Sequence, residues 1–286
     1  MLILLFVNTS TRSNIVKSKH ISVNVIPGDA PHNLEVLRGC NYPGRGLVVG
    51  LNEGGTGIRF LYFITGRSTR SRNRKLVQTV NHMNIKTAFA EETKDDPSLV
   101  IYNAWSQNVF CGNNAYVASN GDHTDLAVGL VENGATKTLA NVLGTCLPEP
   151  DLNQTPRIVA SLVHRSGGKH TVEMGIIRRT KPGVDSPVER AFWSYPAEGL
   201  IKGVGLCLTT YEADSPDPSD EKSLIPSFRG GPFEIPFGGD LDSSVESLWE
   251  VLPKAHKVCL FGTEVCLKDG AVKTVIKNRY PETTSA

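Results

Sequence analysis

Residues 42–74, YPGRGLVVGLNEGGTGIRFLYFITGRSTRSRNR, hold six arginines (Arg45, Arg59, Arg67, Arg70, Arg72, Arg74) against one acid, Glu53. Most of them stand beside Gly or Ser, at the ends of two strand-like runs. A guanidinium is a planar, charged fork that grips phosphate or carboxylate through paired hydrogen bonds, and glycine lets backbone approach the same anion. The chemistry suggested is anion recognition. In YPGRG, Pro43-Gly44 makes a turn and Arg45 opens a strand, either as a substrate clamp or as a surface-turn arginine. In GRSTRSRNR, Ser68, Ser71 and backbone N–H groups can join Arg67, Arg72 and Arg74 around a phosphate. The run also reads as a solvated basic loop or an RNA-binding patch. RNA would want interleaved aromatics for stacking, and residues 66–74 contain none.

Other segments could supply the reacting groups. SNGDHTD, residues 119–125, reads as a strand-to-helix junction, where free N–H groups and the dipole favour an anion or a developing oxyanion. There Asn120 can donate to a carbonyl, Asp122 can accept a proton or simply cap the helix, and His123 is expected to be exposed. TTYEAD puts Glu212 at a strand end, as a general acid or base or as an ordinary carboxylate. Near arginines it would stay ionised unless also desolvated. IYNA ends a short strand with Tyr102 and Asn103, and TPRI opens one with Arg157. A G-x-S-x-G nucleophile elbow is absent.

These residues must be positioned by a sheet-rich scaffold. Gly46–Leu51 and Ile58–Thr65 flank NEGGTG, a hairpin signal. Leu99–Asn103, Ala115–Ser119, Arg157–His164, His170–Arg178, Arg190–Tyr195, Val204–Tyr211, Val258–Leu267 and Val272–Lys277 complete about ten expected strands. Helical spacing covers Asp122–Val131 and Thr136–Leu143, broken at Asn133-Gly134, and Asp240–Leu252, stopped by Pro253. RGGPFEIPFGGD reads as irregular and Glu212–Lys222 as an acidic surface loop. Helices are too few to wrap a parallel sheet, so two packed, mostly antiparallel sheets with helices outside fit best.

At 286 residues with 40% apolar and 21% charged content, the chain can bury a full core. Its net charge of +1 makes the arginine cluster a local feature, unlike a non-specific nucleic-acid binder. The six cysteines (Cys40, Cys111, Cys146, Cys207, Cys259, Cys266) form no CxxC pair and no zinc spacing. A reducing, cytoplasmic setting and no structural metal are expected. MLILLFV, seven apolar residues, is too short to span a bilayer. Residues 1–32 read as an N-terminal extension, disordered or translated from an upstream start. Their lack of acid before Gly28 also suits a transit peptide, though not its amphipathicity.

Taken in order, YPGRG, GRS-x-x-SRNR, IYNA, SNGD-x-TD, TPRI, YEAD and PSFRGGPF resemble the archaeal-type IMP cyclohydrolase family and its bacterial relatives, over about Asn33 to Lys277. Each motif is modest and the ordered set is specific. The resemblance implies an α+β fold: a four-layer α/β/β/α sandwich of two mostly antiparallel sheets, like that of N-terminal-nucleophile hydrolases. It would form one domain over residues 33–280, with a short tail at 281–286. No processed N-terminal Ser, Thr or Cys is present, so that fold's nucleophile chemistry does not transfer. The loop Ser215–Ser223 looks longer than in relatives.

The resemblance also implies an activity: closing 5-formamido-imidazole-4-carboxamide ribonucleotide to inosine monophosphate and water, in purine biosynthesis. The alternatives are a nucleotide-binding protein of the same fold without catalysis and, on the same arginines, an RNA-binding protein. Closure joins the carboxamide nitrogen to the formyl carbon. It needs orientation, a base for the amide proton, a donor for the formyl oxygen and an acid for the departing water. It requires no metal, cofactor or covalent intermediate. On this reading Arg45 and Asn120 orient the base and formyl oxygen, and Arg67, Ser68, Arg72 and Arg74 hold the 5′-phosphate. Tyr102 and Glu212 handle protons, and Asn103, Asp122 and Arg157 complete or support the site. The expected partner is a small purine ribonucleotide, with neither nucleic acid nor membrane. A homo-oligomer is compatible with such a fold, but no residue pattern fixes one.

Overall fold

The structure is a computed structural model, and the residues it describes are 20–110, 112–132, 135–165, 167–212 and 223–280. The expected C-terminal tail and nearly all of the loop Ser215–Ser223 lie outside them, as do residues 1–19.

Two antiparallel sheets carry the fold. The first contains β1 (Arg45–Leu51), β2 (Gly57–Thr65), β12 (Val204–Thr209), β13 (Phe233–Pro236), β14 (Lys257–Cys266) and β15 (Val272–Asn278), in the order β13-β12-β1-β2-β14-β15. The second contains β3 (Lys75–Gln78), β4 (Asn84–Ala88), β5 (Asn103–Phe110), β6 (Asn113–Ser119), β9 (Arg157–Arg165), β10 (Thr171–Arg179) and β11 (Val188–Pro196), in the order β11-β10-β9-β6-β5-β4-β3. A two-stranded ribbon, β7 (Val131–Glu132) with β8 (Ala135–Thr136), stands apart from both.

Alternation along the strands creates the layers, because successive side chains point to opposite faces. In β6, Tyr116 and Ala118 join the large core, while Ala115 and Val117 face a second, smaller one. In β9, Ile158, Ala160 and Leu162 point one way, Val159 and Val163 the other. The large core also takes Phe60, Tyr62, Trp105 and Phe261, whose rings meet edge-on or tilted. The small core is closed by Ala127 of α4 (His123–Ala127) and by Leu139 and Leu143 of α5 (Leu139–Leu143).

On the opposite side, α2 (Ala30–Gly39) packs on β13 and α6 (Leu241–Val251) on β14. The molecule is thus an α+β sandwich with helices outside both sheets, in the expected layer order. The remaining helices are single turns: α1 (Ile21–Asn24) and α3 (Thr69–Arg72).

Several expectations need correction. The proposed boundary at residue 33 falls inside α2, which Asp29 caps by accepting from the His32 amide at 3.1 Å. Ile21 is fully buried in the main core. Leu99–Ile101 is turn, and the strand begins at Asn103. The helix expected over Asp122–Val131 stops at Ala127 and continues as a 3-10 turn, Val128–Leu130. Its expected break at Asn133-Gly134 falls outside the described residues. The segment read as irregular contains β13.

Candidate active site

At the end of the sandwich where β1 begins and β2 ends lies a cavity of about 570 Å³. Its wall includes Arg45, Arg67, Ser68, Arg70 and Arg74, faced by Tyr42, Tyr211, Glu149 and Asp151. Four of the six clustered arginines therefore converge. A pocket of about 40 Å³ lies against it, sharing Glu149 and Leu99 and adding Tyr102, Asp122 and Arg157. Another cavity, about 520 Å³, is lined by Gln78, Gln107, Asn114 and Tyr116 beside the β14–β15 turn. It contains no arginine, so charge rather than size singles out the first.

Backbone geometry delivers Arg45. Gly44 has φ +76°, and a Cβ there would lie 2.2 Å from Thr210 Oγ1 and 2.5 Å from the Tyr211 ring. Glycine thus lets the turn press against β12, and the Arg45 amide donates to Thr210 Oγ1 at 3.0 Å. The Arg45 side chain is buried, and its Nε has no partner among the described residues. Burial is the largest single effect and works against its charge, but Glu149 together with Tyr102, Tyr42 and Tyr211 outweighs it and holds the guanidinium above its ordinary value.

The corner holding Ser68 and Arg74 is built by α3. Ser68 caps it, accepting from the Ser71 amide at 3.0 Å, and Ser71 Oγ donates to Ser68 O at 2.9 Å. Arg74, 2% exposed, donates from Nε to Ser71 O at 3.1 Å, and its buried Nη1 has no partner among the described residues. Arg70 stands at the rim, giving Nη2 to the carbonyls of Asp96 and Ser98.

Two of the six clustered arginines fall elsewhere. Arg72, the C-terminal residue of the single turn α3, does not line the cavity and lies near His256. Arg59 is committed to Glu264, Ser244 and the Gly239 carbonyl.

Glu149 is the group that sequence reasoning missed. It sits in LPEPD, between two prolines, and its amide donates to the Thr155 carbonyl at 2.9 Å. Only 3% exposed, it accepts from Asn120 Nδ2 at 3.2 Å. Burial pushes its carboxyl up to about 7, against the pull of Arg45. A buried acid flanked by prolines in an otherwise polar loop was the available signal.

Asn120 has no spare hydrogen-bonding capacity aimed at a ligand. Its Nδ2 also donates to Pro156 O at 2.9 Å, and its Oδ1 accepts from the Ile158 amide at 2.7 Å. It is a bracket for Glu149, which corrects the expected orienting role.

Tyr102 is buried with its hydroxyl 2.7 Å from that of Tyr62. Burial raises its pKa, while Arg74 and Arg45 pull the other way. Arg157 donates from Nε to Leu147 O at 2.7 Å and from Nη1 to Asp122 Oδ1 at 2.5 Å. Asp122 makes no capping bond to α4, so its partner is Arg157. His123, expected at the surface, is 2% exposed, and burial with Arg157 beside it lowers its pKa to about 3. Asn103 reaches Asp125 at 2.8 Å and lines neither pocket.

Glu212 also lies away from the cavity. Its carboxylate accepts from Ser22 Oγ and from the Arg229 amide, and its carbonyl takes the Ile21 amide at 2.6 Å. The strand end does bring Tyr211 into the cavity, and the next residue faces the opposite way to anchor α1.

Among the described residues no group of three or more His, Cys, Asp or Glu could hold a metal ion. No helix among them is long and apolar enough to cross a membrane. Cys146, Cys207, Cys259 and Cys266 are free thiols.

No curated protein matches the chain. The family model described as IMP cyclohydrolase-like protein matches residues 42–269, most of the chain and every element of the arginine cavity. With its sandwich of two antiparallel sheets, the chain belongs to the IMP cyclohydrolase-like family.

Proposed function

We propose that this protein is an IMP cyclohydrolase, closing 5-formamido-imidazole-4-carboxamide ribonucleotide to inosine monophosphate with loss of water. The observation carrying this reading is one cavity lined by two buried arginines, each with an N–H that has no partner among the described residues, beside a buried acid pushed close to neutrality. Unpaired buried donors are costly, and an anionic ligand would satisfy them.

Arg67 and Arg74, with Ser68 and the α3 turn, take the 5′-phosphate. Arg45 meets the oxygen atoms of the base. Glu149 accepts the carboxamide proton as nitrogen attacks the formyl carbon. Tyr102 donates to the formyl oxygen as it becomes the hydroxyl of the ring-closed adduct. Glu149 then gives the proton it took to that hydroxyl as it leaves as water, and the Tyr102 phenolate takes the proton of the former formamide nitrogen as the ring C=N bond forms, so atoms and charge balance and both side chains are restored. A carboxyl near 7 suits both directions, since proton transfer works best with a pKa close to the working pH.

Adding the formamido nucleotide and following ultraviolet absorbance for inosine monophosphate tests the reading. Turnover that falls on the order of a hundredfold or more in Glu149→Gln and Tyr102→Phe is expected. Tight nucleotide binding without any turnover would instead leave a purine-nucleotide-binding protein, and RNA affinity without nucleotide affinity would overturn both.

A further inference from the structure

Tyr62 of β2 lies outside the cavity, in the core between the sheets, with its side chain fully buried. Its ring tilts against Phe261 at 5.5 Å, and its hydroxyl has one hydrogen-bond partner among the described residues, the Tyr102 hydroxyl at 2.7 Å. A phenol carries one hydrogen and accepts through lone pairs. If Tyr102 gave its hydrogen to Tyr62, the Tyr62 hydrogen would have no acceptor among the described residues, since the other polar groups acting on it, Arg45 and Arg74, are donors. If Tyr62 donates, its hydrogen is satisfied, and only a weakly demanding lone pair goes unused. Tyr102 can then aim its own hydrogen at the pocket shared with Glu149 and Arg157.

We infer that Tyr62 is a positioning residue which donates its hydroxyl hydrogen to Tyr102 and so fixes Tyr102 as a hydrogen-bond donor facing the ligand. The inference rests on the proposed reaction for its kinetic consequence, and on geometry alone for the direction of the bond. Donation also makes Tyr102 the stronger acid, because the phenolate that forms keeps a hydrogen-bond donor. The pocket thereby selects a ligand with an acceptor oxygen at that point, such as a formyl or carbonyl group, over one presenting only a donor.

Two measurements test this. The first is a kinetic cycle. Tyr62→Phe keeps the ring and removes the donor; kcat should fall about tenfold with KM little changed, the worth of one hydrogen bond made in the transition state. In a Tyr102→Phe background the same change should cost nothing further. An equal loss in both backgrounds would mean that Tyr62 acts through packing and would overturn the inference.

The second measurement needs no activity. The Tyr102 Cζ resonance, assigned by its loss in Tyr102→Phe, is followed through an alkaline titration. Its midpoint should rise in Tyr62→Phe; a fall would show that Tyr102 is the donor, and no change would show that the bond is inconsequential. Absence of turnover with a raised midpoint would defeat the cyclohydrolase reading and leave the assignment of the bond intact.

Discussion

A single buried carboxyl makes the sharpest residue-scale demand. Glu149 ionises near 7 in the fold, against 4.5 for the free side chain, so the folded state holds its proton over a range where the unfolded chain has lost it. The folded state thus binds more protons, and stability falls as pH rises from about 4.5 to above 7. That shift corresponds to on the order of 3 kcal/mol. Glu149→Gln should remove this slope: chemical denaturation at about pH 5 and pH 8 should show the wild type losing stability relative to the variant. Activity has the opposite sign, since the base must be ionised, so kcat/KM should climb through about pH 7 and then level. Sequence made the arginines legible but not this acid. A cluster with one local acid looks uncompensated, yet Glu149 and Asp151 come from a loop far along the chain. Such long-range pairing leaves no spacing to read.

At the scale of elements, the end of β12 shows how a motif can be found and its role misassigned. Tyr211 and Glu212 are adjacent, so they face opposite ways; one lines the cavity while the other pins α1 through Ser22 and the Ile21 amide. Glu212→Gln should therefore lower stability by about 1–3 kcal/mol, the cost of disturbing a buried hydrogen-bonded charge, and change kcat less than threefold. A loss of kcat matching that of Glu149→Gln would return Glu212 to catalysis. The β1–β2 hairpin was readable because its alternation and glycine turn agree. In contrast, β4, NIKTA, is only five residues long and β5, NAWSQNVF, has a single β-branched residue, so both form by pairing with neighbours already in place. Likewise Gly44 reads as a turn, but only packing shows that a side chain there would collide with Thr210. Gly44→Ala should cost stability and raise KM together, checked by thermal melting alongside steady-state kinetics.

For the whole molecule, the two sheets separate support from function. Arg59 and Glu264 join β2 to β14 within one sheet, and Arg59 also holds Ser244 at the start of α6. Arg59→Ala should cost about 1–3 kcal/mol by stripping hydrogen bonds from Ser244 and the Gly239 carbonyl and leaving the partly exposed Glu264 without its guanidinium, while ligand affinity stays as it was. The cavity does the reverse: Arg45 stands on the first sheet, whereas Tyr102 precedes β5 and Glu149 precedes β9, both in the second. A ligand gripped by all three ties the sheets together, and anything that binds only the folded state stabilises it in proportion to the logarithm of its concentration. Inosine monophosphate at a hundredfold excess over its Kd should add about 2.7 kcal/mol, a rise in melting temperature of roughly 4–5 °C for a chain of this size. Arg74→Ala, which removes a cavity-lining guanidinium, should abolish most of that rise, while Arg72→Ala should preserve it because Arg72 lies outside the cavity. The reverse pattern would put the phosphate on the outer face of α3, and the two-sheet grip would no longer describe how this fold holds its ligand.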